Sequence, residues 1–155
     1  QVKDIQLPRR IVTDQDVINA KKEIAALSEQ EKNGRNTGRR RGWHQKTVDR
    51  FNEQKTDKLY PMELHTIRIG DIAICTNPFE LFTDFGIRMK VGSKATQTFI
   101  VQLAGTSGYY LATTKAVLGG GYSAVINSNL VGPEGGDVLV KETVTEINAM
   151  WPKKP

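Results

Sequence analysis

The sequence predicts an α+β fold, a mixed β-sheet flanked by helices, formed by 155 residues as a single domain or as a fragment of a larger one. Three observations point there. The run at 72–76 (IAICT) is nearly all apolar, as expected of a central strand covered on both faces. Before it, Met62, Leu64, Thr66, Ile67 and Ile69 alternate imperfectly and lead into Gly70-Asp71, a tight turn, so that 62–74 reads as a β-hairpin. Apolar residues at helical spacing then occur near both ends of the chain.

Residues 1–12 are expected to be extended, because Pro8 bars a helix through them. Thr13 supplies an N-cap with Asp14 and Asp16 in the first turn. Val17, Ile18, Ala20, Ile24, Ala25 and Leu27 carry a helix over 14–32, which Asn33-Gly34 ends. Residues 35–42 (RNTGRRRG) are polar and glycine-punctuated, a surface loop; a weaker helix is predicted from Trp43 to Gln54, then a connector closed by Pro61. Past the hairpin, Pro78 precedes a helix from Phe79 to Val91 with Glu80 in its first turn, burying Leu81, Phe82, Phe85, Ile87 and Met89. A strand over 97–104 runs into Gly105-Thr106-Ser107-Gly108-Tyr109-Tyr110, a rim for a pocket. Residues 111–132 are irregular, with one helical turn at 114–118. Pro133 opens a last helix through Val138, Val140, Val144, Ile147 and Met150, and Pro152 ends it. The chain thus divides into a mostly helical, basic part over 1–60 and a strand–helix core over 61–155 that holds the candidate site.

Composition narrows the function classes. No apolar run approaches the roughly 18 residues of a membrane span, so no transmembrane segment is expected. Cys75 is the only cysteine; it lies in an apolar strand and reads as a buried structural thiol. The net charge of +5 is concentrated before Tyr60, with Arg39-Arg40-Arg41 its densest point. Such clusters suit nucleic acid or anionic surfaces, but only Trp43 stands near them as a stacking residue, so a solvated or partner-facing surface is the better reading.

Three chemistries fare poorly on the residues alone. Gly105-Thr106-Ser107-Gly108 has Tyr109 where a serine elbow needs glycine. His44 and His65 show no metal-ligand spacing, and Glu80 with some tyrosines is too small a set to hold a catalytic zinc unaided. The glycines of 119–121 and 132–136 lack a phosphate-loop lysine and the dinucleotide spacing; they suit close backbone approach or a flexible wall around a ligand.

From Pro61 onward the chain resembles the C-terminal part of the catalytic domain of the neutral/alkaline, non-lysosomal ceramidases, zinc amidases that cleave the N-acyl bond of ceramides. The matches are TIRIGDIAI followed by Pro78-Phe79-Glu80, FIVQLAG leading to Tyr110-Leu111-Ala112-Thr113, Tyr122 twelve residues after Tyr110, and Gly132-Pro133 at the closing helix. The resemblance implies that Glu80 and Tyr110 are zinc ligands and that Tyr122 is the catalytic tyrosine polarising the amide carbonyl. It also implies a hydrophobic amide or lipid substrate and a secreted or periplasmic setting. The family's two zinc histidines and its reactive serine lie upstream of the matching part, so the Zn site would need an upstream segment of the same protein or another copy of the chain. Phe79 stands where the family commonly has glycine and is expected to reshape the pocket. A non-catalytic interaction module of the same fold is the alternative, with a basic nucleic-acid binder after it.

Overall fold

The computed structural model describes residues 1–151, in two compact units: Gln1–Arg10 with the chain from Leu59 onward, and Ile11–Lys58. The second unit is a helical hairpin. Its first helix, α1 (Asp14–Lys32), starts with a capping box: Asp16 N–H donates to Thr13 Oγ1 (3.2 Å) and Thr13 N–H to the Asp16 carboxylate (2.9 Å). The next, α2 (Gly38–Glu53), begins earlier than its polar, glycine-containing sequence suggests. The buried Thr37 donates from Oγ1 to the Leu27 carbonyl (2.9 Å), and Arg41 pairs with Glu31 (3.2 Å). Packing on α1 therefore draws the expected loop into the helix, a tertiary override of weak propensity.

The first unit is built on a four-stranded sheet. β1 (Val2–Pro8), β2 (Leu59–Ile69) and β3 (Ile72–Thr76) are antiparallel neighbours, and β5 (Gln97–Val101) joins β3 in parallel. β2 runs through Pro61, which the sequence places in a connector. Thr66 and Gln1 exchange backbone hydrogen bonds, so the even-numbered residues of β2 face β1. The Pro61 nitrogen points the other way, beyond the reach of β3, and no ladder bond is lost.

Two helices cover one face, α3 (Thr83–Gly92) and α5 (Pro133–Ala149); a short helix, α4 (Thr114–Gly119), stands between them in the chain. With them Ile5, Leu7, Met62, Leu64, Phe85 and Leu139 form the core. At Gly136 a Cβ would collide with the Phe85 ring, so glycine is what lets α5 approach α3 this closely. The opposite face is open, contrary to the doubly covered strand expected at 72–76. Ala73 and Cys75 are buried, but Ile72 on the other face is 37% exposed, beside Ile67, Ile69, Phe99 and Val101, all exposed. Ile87, expected in the core, also faces solvent, since α3 buries only Phe85 and Met89, one turn apart. The closing helix runs as predicted; its expected stop at Pro152 lies outside the described residues.

Candidate functional site

The segment after β3 departs from the predicted helix. Glu80–Leu81 forms a two-residue strand, β4, parallel to β6 (Tyr110–Leu111), with Glu80 directly opposite Tyr110. Its backbone donors are committed elsewhere: Phe79 N–H to the Asn77 side-chain oxygen (3.1 Å), Glu80 N–H to the Tyr109 carbonyl (2.9 Å) and Leu81 N–H to the Gln102 side-chain oxygen (2.9 Å). Phe82 N–H donates to the Leu111 carbonyl (3.1 Å). With four successive N–H groups held this way the helix starts only at Thr83, so Glu80 sits on a strand and not in a helix's first turn.

This ladder brings the three singled-out residues together. The Glu80 carboxylate accepts a hydrogen bond from the Tyr110 phenol, the main reason the phenol's pKa is raised above its ordinary value; burial and the Glu80 charge add to it. The Tyr110 and Tyr122 rings meet edge to face, with centroids 6.0 Å apart. Tyr122 opens a 3-10 turn (Tyr122–Ala124) and is 70% exposed, so its ring is accessible from solvent. Two oxygen donors and an accessible tyrosine therefore converge at one edge of this unit.

Phe79 does not line the site. Its ring is fully buried, tilted against Tyr60 at 5.6 Å and packed on Gly108. Phe79, expected to reshape the pocket, thus acts through the core instead. Gly108 in turn donates from its N–H to the Pro78 carbonyl (2.8 Å), closing the loop over 102–109 onto β4. Tyr109 and Leu103, at the two ends of that loop, have left-handed backbones (φ 59° and 54°), a strained choice for residues with side chains.

Asn129, which sequence reasoning did not single out, is also part of the site's frame. It is buried, and its side-chain nitrogen donates to the Tyr110 carbonyl (2.9 Å) and to the Ser123 carbonyl (3.0 Å). An asparagine in a mixed run such as VINSNLV carries no local signal of such a role.

Other candidates are placed elsewhere. His65 sits on β2 with Glu63 at 3.2 Å, and His44 packs on Trp43. A cavity of about 460 Å³ has Asp4, Glu63, His65, Thr76 and Thr106 among its walls, and none of Glu80, Tyr110 or Tyr122. Ser107 lies in the irregular stretch before Tyr109, outside any helix or strand. Burial lifts the Cys75 thiol to about 11, and its Sγ lies 3.7 Å from the Phe99 carbonyl, which fits a structural role. Among the described residues no group of three or more His, Cys, Asp or Glu is placed to hold a metal ion, and no helix is long and apolar enough to cross a membrane.

Neither a family model nor a curated protein matches the sequence. Among solved structures, a ceramidase complexed with C2 is similar over 63% of this chain and 16% of its own (TM-score 0.49, 16% identity). The neutral ceramidase from Pseudomonas aeruginosa is similar over 60% of this chain, with a TM-score of 0.50 and 19% identity. The chain spans 15% of the length of that protein. At this identity the relationship is one of architecture: the chain has a ceramidase-like fold over the matched part.

Proposed function

We propose that the chain is the C-terminal part of a zinc-dependent amidohydrolase that cleaves a linear N-acyl amide, with a ceramide-like lipid as the substrate class. The observation that carries this reading is the pairing of Glu80 with Tyr110 on adjacent parallel strands, with Tyr122 against Tyr110. A carboxylate and a phenol side by side are hard oxygen donors of the kind zinc accepts. They fit half of a four-ligand set, and the imidazoles needed to complete it would come from an upstream segment or another copy. When bound, zinc would lower the pKa of a water to about 7 and polarise the carbonyl.

The chain's own residues have separable tasks in this scheme. Glu80 binds through its carboxylate and keeps Tyr110 oriented. Tyr110 holds its proton while it donates to Glu80, and its phenol oxygen would be the second donor offered to the metal. Tyr122, exposed and edge-on to Tyr110, orients the scissile carbonyl by donating to its oxygen. The wider setting is part of the same proposal: a secreted or periplasmic protein, as the family resemblance implies.

The test uses the complete native polypeptide that contains this sequence. Zinc content and release of fatty acid from an N-acyl amide are measured for it and for Glu80→Gln and Tyr110→Phe. About one zinc per chain, lost or weakened in both variants together with activity, is expected. An intact protein that binds no metal would end this reading.

A second reading has its own support: Glu80 is satisfied internally by the Tyr110 phenol, and the 460 Å³ cavity lies apart from both. That favours a non-catalytic interaction module of the same fold. A full-length protein free of zinc that binds the lipid without hydrolysing it would select this reading.

A further inference from the structure

Asn129 is 1% exposed, yet all of its side-chain polar functions are used. Besides its two donated bonds to the Tyr110 and Ser123 carbonyls (2.9 and 3.0 Å), its amide oxygen accepts from the Arg10 guanidinium. The same guanidinium nitrogen donates to the Ala124 carbonyl (2.7 Å). Tyr109 and Asn129 also form an isolated antiparallel bridge. Because arginine can only donate, the amide oxygen must face Arg10 and the NH2 must face the two carbonyls. A single buried amide group thus spans the strand that carries Tyr110 and the turn that carries Tyr122. The turn needs such a tie, since it follows Gly120 and Gly121, both with positive φ (75° and 102°) and no atom within 4 Å of a would-be Cβ.

We propose that Asn129, anchored by Arg10, is a positioning residue that sets the Tyr122 ring against Tyr110. The inference rests on the reading of these two tyrosines as one site, but not on the presence of metal. Its reach is wider than the stability of a loop: the two hydrogen bonds that Asn129 donates fix the two backbones that carry the rings.

The experiment is nuclear magnetic resonance on the 155-residue chain with labelled tyrosine, following the cross-peak between the Tyr110 and Tyr122 ring protons. Amide protection along β1 and β2 reports the rest of the unit. Asn129→Asp keeps an acceptor for Arg10 and removes both donors, so the cross-peak is expected to disappear while β1 and β2 remain protected. Arg10→Lys, a milder change, is expected to weaken the cross-peak in a folded chain and decides the matter if Asn129→Asp does not fold. A cross-peak unchanged in the folded Asn129→Asp chain, or in Arg10→Lys where that variant decides, overturns the proposal. The amidase reading is judged separately by zinc in the intact protein: a lost cross-peak in a zinc-free protein keeps the positioning role and removes the enzyme.

Discussion

Gly108 and Phe79 are complementary: a Cβ at position 108 would lie 2.6 Å from Cε1 of the Phe79 ring, which is itself fully buried. Both sit next to the ladder that pairs Glu80 with Tyr110. Gly108→Ala is expected to destabilise the chain by about 1–3 kcal/mol through overpacking. Phe79→Leu combined with it should recover part of the loss, with a coupling of about 0.5–3 kcal/mol between the two sites. Thermal or urea unfolding of the two single variants and the double variant measures this; simple additivity would contradict the packing described.

Glu80 is the chief reason that the Tyr110 phenol ionises above its ordinary range. Glu80→Gln removes the charge and should bring the phenol back toward about 10. In the unaltered chain the favourable interaction is present below the unfolded phenol's pKa and is lost as pH rises through the raised folded value. Ultraviolet titration of the tyrosines, with Tyr110→Phe as the subtraction control, reads the shift.

Burial raises the Cys75 thiol to about 11. The neutral thiol is therefore favoured in the folded chain, and its contribution to stability is present below the unfolded thiol's pKa and lost as pH rises toward 11. At pH 8 a disulfide reagent should label Cys75 slowly in buffer and rapidly in denaturant. Fast labelling of the native chain would show the strand to be open.

Ile69 is 60% exposed on the open face of the sheet, alongside Phe99 at 50%. Ile69→Lys should change stability by no more than about 0.5 kcal/mol, while lowering binding of a hydrophobic dye and self-association in sedimentation. A large loss of stability would mean that this face is packed.

How far the sequence could be read depended on where each signal was stored. α1 and α5 are written locally, in Thr13 and Asp16, in Gly132-Pro133, and in apolar spacing, and both came out within a residue or two. The pairing of Glu80 with Tyr110 is legible only through the family resemblance, because nothing within a few residues of either indicates the other. The helix expected from Phe79 failed for the same reason: the groups that hold its N–H donors, on Gln102, Tyr109 and Leu111, are distant in sequence. The start of α2 is not legible locally, because glycine and a basic first turn disfavour a helix N-terminus, while the contacts to Leu27 and Glu31 come from α1. The open sheet face is invisible in the sequence, because Ile72 and Ile74 are as apolar as the buried Ala73 and Cys75. Composition carries no record of which side is covered.

The two-stranded parallel ladder of Glu80–Leu81 with Tyr110–Leu111 has a further consequence. The separation of the two backbones that carry the carboxylate and the phenol is set by the spacing of neighbouring strands, about 4.8 Å, and not by the length of polypeptide that connects them. The connecting stretch could therefore lengthen, shorten or change its outer surface over evolutionary time while the acid and the phenol kept their separation, leaving the chemistry of this edge insulated from drift in the chain between them.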